Sequence, residues 1–182
     1  WLWSIEDYIR PMVPMVYYHV WDNYPYPKFN ARFYESNDVV ATISKVTSDI
    51  VRTVAPNVEE RYLPHAVDSS IFYNRKDKLY QDLKNQNPAF KDRFVFFWNN
   101  RNARRKQTGS LLFWFRNFLE LKDVDRDKVC LFLHTDSQDP HGQPVEFLID
   151  ELGFRENEVI LSKNKLPPEH MALLYCVSDC TI

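Results

Sequence analysis

RFVFFWNNRNARRKQTGSLLFWFRNFLEL, residues Arg93–Leu121, runs through three kinds of chain in succession. Arg93–Trp98 is almost wholly apolar and aromatic, and so continuous a run reads as a strand buried on both faces. Asn99–Thr108 is a polar loop in which Arg101, Arg104, Arg105 and Lys106 place four cations within six residues. Gly109–Leu121 then repeats apolar side chains at helical spacing, with Leu111, Leu112, Phe115, Phe118 and Leu119 on one face. A buried strand that feeds an amphipathic helix is the first half of a parallel β-α-β unit, because the helix must pack back over the sheet before the chain re-enters it.

The flanking sequence continues that alternation. Downstream, Lys128–His134, Glu158–Leu161 and Cys180–Ile182 read as strands. Between them come helices over Pro144–Leu152, closed by Gly153, and from Pro168 onward, with Met171, Leu174 and Tyr175 turned inward. Upstream, Met15–Val20, Asp38–Ile43 and Arg61–Leu63 are strand candidates, and Lys28–Ser36 is a short helix. Ser44 is a good N-cap for a further helix whose Thr47, Ile50, Val51 and Val54 share a face before Pro56 stops it. Asn74–Lys91 is dense in Lys, Asp, Gln and Asn and reads as a solvated helix or a linker. The expected fold is α/β, with the end of one Rossmann-like domain over residues 1–70, a linker or helix over 71–92, and the first half of a second parallel-sheet domain over 93–182.

Composition narrows the function classes. The chain of 182 residues has 23 basic and 25 acidic side chains, a net charge of -2, which argues against a surface devoted to nucleic acid or anionic lipid. With 3 glycines, a glycine-rich phosphate cradle is excluded. No apolar run approaches the roughly 20 residues of a membrane span, and no charged-then-apolar signal opens the chain. Cys130, Cys176 and Cys180 make no disulfide framework, so a reducing compartment and buried structural thiols are expected. His134, His141 and His170 lack metal-ligand spacing, and neither metal nor cofactor is expected. The chain opens at Trp1 inside an apolar stretch and stops as a strand begins, which reads as an internal piece of a longer protein.

The basic loop is the sharpest chemical feature. In an open α/β sheet, ligands bind beyond the carboxyl ends of the strands, which is where this loop leaves its strand. The next helix directs the positive end of its dipole to the same edge, so a pyrophosphate would fit there. A solvated basic loop or a nonspecific nucleic-acid patch is the competing reading.

Four motifs, in order and in register, resemble GT-B glycosyltransferases of the family 4 type. Phe94–Lys106 resembles the strand–(G)R-x4-K–helix element that opens their C-terminal domain, and Asp38–Lys45 resembles their "adxvixxS" strand. Tyr62–Asp68, with Phe72 after it, is similar to "xxPNGVDxxxF", the crossing between domains. Val159–Leu161 and Pro168–Asp179 resemble the later "V-x-F-x-G … Y-x-x-a-D" stretch. The resemblance implies a retaining transferase acting on a nucleotide-diphosphate sugar, with residues 1–70 on the acceptor side and 93–182 on the donor side.

Arg101 and Lys106 match the pair that holds the donor diphosphate in that family, and Arg104 and Arg105 either share the task or face solvent. Asn100 stands where the family has Gly. His19 matches a His beside the reacting sugar and is the candidate catalytic residue, with a satisfied His in a polar loop as the alternative. Asp22 would orient His19 or touch the acceptor, and Trp21, Tyr24 and Tyr26 would stack on a sugar or simply pack. His65 and Asp68 are taken as structural. The family's E-x7-E segment is expected after the fourth strand, beyond Ile182, so the chain alone is expected to be inactive. The implied partners are a nucleotide sugar, an acceptor that could be carbohydrate, lipid or protein, and a second copy of the chain. No nucleic acid is expected, and the expected setting is the cytoplasm, free or at a membrane surface. The alternative is a non-catalytic α/β binding module with a phosphate- or nucleic-acid-binding loop.

Overall fold

The structure is a computed structural model describing residues 1–182. It divides into two compact units, Trp1–Val67 and Asp68–Ile182. In the first unit a 3-10 turn (Leu2–Ile5) runs into helix α1 (Glu6–Ile9), an element with no counterpart among the expected ones. Then come β1 (Val16–His19), a 3-10 turn (Lys28–Asn30) continuing as α2 (Ala31–Glu35), β2 (Val39–Thr42), α3 (Lys45–Val54) and β3 (Glu60–Tyr62). The strands form a parallel sheet in the order β1-β2-β3, with Val16 opposite Val39 and His19 opposite Thr42. Ser44 caps α3 as expected, its hydroxyl accepting from the Thr47 N–H at 3.1 Å. Tyr34, Val40, Val51 and Ala55 are buried together as the core.

The second unit contains α4 (Lys78–Gln86), β4 (Phe94–Asn99), a 3-10 turn (Arg104–Lys106) and α5 (Thr108–Phe118). It continues through a 3-10 turn (Arg126–Lys128), β5 (Val129–His134), α6 (Val145–Glu151), β6 (Val159–Ser162), α7 (Pro168–Val177) and β7 (Cys180–Thr181). All four strands are parallel, in the order β6-β5-β4-β7. Alternation along the strands builds two cores. Val95, Phe97, Cys130 and Phe132 pack on one face with Leu174 and Val177 of α7. Trp98, Leu131 and Leu133 pack on the other with Leu112, Phe115 and Val145 of α5 and α6. A sheet covered on both faces is why Phe94–Trp98 of β4 and Val129–Leu133 of β5 are apolar at successive positions rather than at every second one.

The polar stretch 71–92 resolves into a helix of the second unit. Tyr80 and Leu83 of α4 pack on the Val95–Phe97 core, and Lys84 donates to the Val177 carbonyl at 3.0 Å and to Asp179 at 2.8 Å. The thiols also divide. Cys130 is buried, and burial pushes it up to about 11. Cys176 and Cys180 are half-buried instead of enclosed, and Cys176 Sγ donates to the Tyr73 carbonyl at 3.2 Å. No helix is long and apolar enough to cross a membrane.

Candidate functional site

In the order β6-β5-β4-β7 the chain moves outward from β4 through β5 to β6, then returns to place β7 on the other side of β4. The order therefore reverses at β4, and in parallel sheets the crevice beyond the carboxyl ends at such a reversal is where ligands bind. Asn99 ends β4, so the loop carrying Arg101 to Lys106 leaves from that point. Asn99 donates from Nδ2 to the Tyr175 hydroxyl at 3.0 Å, tying the strand end to α7.

A second loop fastens the basic one. Asn102 is wholly buried. Its Nδ2 donates to the Gln143 carbonyl at 2.8 Å, and its Oδ1 accepts from Thr108 Oγ1 at 3.2 Å and from the Gln143 N–H at 3.3 Å. Gly142 passes so close that a Cβ there would collide with the Asn102 amide and carbonyl. Arg101 donates from Nε to Asp139 Oδ2 at 2.5 Å and from Nη2 to Oδ1 at 3.3 Å. The Arg101 guanidinium, followed by the His141 N–H, holds the Asp139 carboxyl down to about 2.

These contacts sort the four expected phosphate ligands. Arg101 is engaged by a carboxylate, whereas Arg104, Arg105 and Lys106 are exposed on their 3-10 turn with no carboxylate within 4.0 Å. The expected alignment of the helix dipole is also changed. Three of the cations sit on the 3-10 turn itself, and Gln107, left-handed at φ 54°, breaks the chain direction between that turn and α5. The Gly109 N–H in the first turn of α5 is already taken by Gln143 Oε1 at 2.8 Å. The charge available at this rim therefore comes from side chains more than from the helix terminus.

Around the same rim stand residues that sequence reasoning left unassigned. His134 ends β5 and pairs through Nδ1 with Ser162 Oγ at 2.9 Å, and burial lowers its pKa. Thr135 is buried, its Oγ1 without a partner. Ser137 donates to Glu146 at 2.6 Å, and Lys163, then Ser137 and Gln138, hold Glu146 down to about 2. Strand-end position could have flagged His134. Nothing local could have paired Asp139 with Arg101 across 38 residues.

In the first unit His19 closes β1 at the carboxyl edge of its sheet and is 2 % exposed. Its Nε2 lies 2.8 Å from the Tyr34 hydroxyl, its Nδ1 has no partner, and burial lowers its pKa. Trp21 stacks near it at 6.3 Å, with a buried Nε1 that is likewise unpartnered. Asp22 is exposed and makes no hydrogen bond to His19. Tyr34, reached by the α2 turn, orients the ring instead, which corrects the expected role of Asp22 as its orienter. Tyr24 and Tyr26 pack as a tilted pair with ring centroids 5.1 Å apart, and His65 packs on Tyr18 at 5.5 Å. Asp68 accepts from the Ser70 N–H at 2.8 Å in a local turn. No three His, Cys, Asp or Glu side chains gather where they could hold a metal ion. An apolar hollow of about 580 Å³ lined by Trp1, Trp3, Ile9, Met15 and Val16 lies at the amino-terminal end of β1, away from the His19 edge.

No protein-family model matches the chain, and no curated protein matches it. Solved structures do. An α,α-trehalose-phosphate synthase (UDP-forming) from Burkholderia vietnamiensis superposes with a TM-score of 0.69 at 12% identity, covering 99% of this chain and 49% of the other. HepE from Anabaena, solved in complex with UDP and glucose, gives 0.61 at 15% identity over 92% of this chain and 45% of its own. The N-terminal domain of trehalose-6-phosphate phosphatase from Candida albicans gives 0.57 at 17% identity, over 81% and 38%. The fold is that of GT-B glycosyltransferases. The chain spans about half the length of the structures it matches.

Proposed function

We propose that this chain is a portion of a retaining glycosyltransferase, which moves a sugar from a nucleotide-diphosphate donor to an acceptor, and that alone it does not turn over. The observation that carries the reading is the cationic turn Arg104–Lys106, free of carboxylates, on the loop that leaves β4 where the strand order reverses. Cleaving a sugar–phosphate bond builds negative charge on the departing diphosphate, and fixed cations in a preorganised loop lower that barrier. Arg101 keeps a part in this despite its ion pair. A guanidinium has five N–H donors, and Asp139 engages it only at Nε and Nη2. Nη1 stays free for a phosphate oxygen while Asp139 holds the plane of the fork. In this reading Arg101 and Lys106 grip the diphosphate and Arg104 and Arg105 add to the local potential, while His19 of the first unit is the candidate catalytic residue on the strength of the resemblance alone.

Support comes from the solved structures as well, since one is a UDP-forming synthase and another holds UDP and glucose. The finer placing, with family 4, rests on the four sequence motifs. The test is titration calorimetry with UDP and GDP. Each charge-assisted hydrogen bond is worth about 1.5–3 kcal/mol, so changing both Arg101→Ala and Lys106→Ala should weaken binding by at least about tenfold. Unchanged affinity in the double variant would remove the reading. Sustained sugar transfer by this chain would remove the claim that it is inert alone.

A further inference from the structure

The outer side of α5 and α6 is apolar where a surface helix is ordinarily polar. The two helices lie side by side. Gly109, in the first turn of α5, is so near Leu148 that an added Cβ would sit 3.1 Å from its Cδ1, and toward the other end Arg116 donates from Nε to the Leu152 carbonyl at 2.9 Å. Leu112, Phe115 and Val145 turn inward to the core. Phe113 and Trp114 turn outward from α5, their ring centroids 5.3 Å apart, and Trp114 is 68 % exposed. On α6, helical spacing sets Phe147, Asp150 and Glu151 on one exposed face. Three aromatic side chains at half exposure or more leave on the order of 300 Å² of apolar surface, the size of patch that marks an interaction site.

The charges around this patch are divided by end. Both helices start at the carboxyl rim of the parallel sheet and run the same way, and the 11 residues of α5 span about 16 Å. Arg104 and Arg105 stand before the start of α5, whereas Asp150 and Glu151 close α6. All four are exposed and none is ion-paired within the chain. Lys122 and Arg155 are on the loops that follow the two helices. An anionic membrane would fit the cationic end and be repelled by the acidic one. A second copy of the same face fits both. We infer that the outer face of α5 and α6 docks a second copy of this chain as an isologous pair. A two-fold axis in the plane of the face, across the line from Arg104–Arg105 to Asp150–Glu151, lays each basic turn on the partner's acids. The same axis brings the aromatic centres together, giving the apolar middle and charged rim of a protein interface. The contact engages Arg104 and Arg105 and leaves Arg101 and Lys106 to the proposed diphosphate site. It stands whether or not the transferase reading does.

The test is sedimentation velocity of the full chain at low salt with paired charge reversals. The wild type should dimerise. Arg104→Glu with Arg105→Glu, and separately Asp150→Lys with Glu151→Lys, put like charges at both ends of the pair, so each variant alone should dimerise at least tenfold more weakly. An equimolar mixture of the two variants should recover a heterodimer, because every end then meets its opposite, and that recovery also shows that both variants are folded. Trp114→Ser should weaken the wild-type dimer without moving the urea midpoint of the second unit. A wild type that is monomeric at every concentration would overturn the inference. Self-association that neither reversal changes would belong to another surface, such as the exposed edge of β1, and would overturn it too. So would variants that lose the dimer and do not regain it on mixing. Trp114-dependent flotation with phosphatidylserine vesicles by a chain that stays monomeric would give the face to a membrane instead.

Discussion

Glu158 is 2 % exposed, yet it is an acid. Burial alone would raise its pKa, but Arg126, donating from Nε at 2.7 Å and Nη2 at 2.9 Å, together with the Arg155 N–H, brings it below the usual range. Removing one partner from such a pair strands a buried charge, so Arg126→Ala should destabilise the second unit by about 3–5 kcal/mol in urea unfolding. His19 gives a pH prediction of the opposite chemical type. Its pKa is lowered in the folded chain, so the unfolded chain binds the proton first as pH falls. The stability it supports is whole above the unfolded value of 6.5 and declines as the solution is acidified below it. Thermal unfolding of the first unit between pH 7 and 5 should show that decline, and a His19→Gln variant should flatten it. At this scale the sequence was half legible. His19 stood out because it closes a strand where the resembled family has a His, but its partner Tyr34 lies on another element, the short helix expected over Lys28–Ser36, and nothing local marked it.

Among the elements, the two rim loops act as one. Asn102, Gly142 and Gln143 interlock, and Arg101 is held by Asp139. Gly142→Ala should force the loops apart. Overpacking of this kind costs about 1–3 kcal/mol, which the urea midpoint of the second unit would register. Asp139→Asn removes the carboxylate that competes for Arg101, so UDP binding at neutral pH should tighten a few-fold in calorimetry. Weaker binding would mean that orientation of the fork matters more than its charge. Since Asp139 is held down to about 2, the pair is complete above its ordinary value of 3.8 and dissolves only as pH falls toward 2. The strands of the second sheet were readable because Phe94–Trp98 and Val129–Leu133 are apolar without interruption. The latch was not, because Asp139–Gln143 reads as an ordinary polar turn until the fold sets it beside Asn102. The N-terminal 3-10 turn and α1 were missed for a related reason, since Arg10 reaching Asp38 at 3.2 Å helps hold that segment and lies 28 residues from its partner.

Across the whole molecule, the sequence motifs and the solved structures converge on the same fold from independent directions, one by letters in register and the other by superposition at 12% identity. Identity so low carries the architecture and no more, and the function therefore depends on the chemistry of the rim. The first sheet leaves β1 as an edge strand with Val16 and Tyr18 exposed, and Val20 exposed just beyond it, an apolar edge of the kind that recruits further strands. Sedimentation should therefore show self-association that grows with concentration, and a strictly monomeric species would contradict that expectation. The most direct test of the central claim, that the cationic turn beyond β4 grips a nucleoside diphosphate, is amide chemical-shift mapping of the chain during titration with UDP. The account predicts saturable shifts confined to the Asn99–Ser110 loop and its Asp139–Gln143 latch, abolished by Arg101→Ala with Lys106→Ala. Shifts that never saturate, or that spread over the surface and fade with salt regardless of those two side chains, would contradict it.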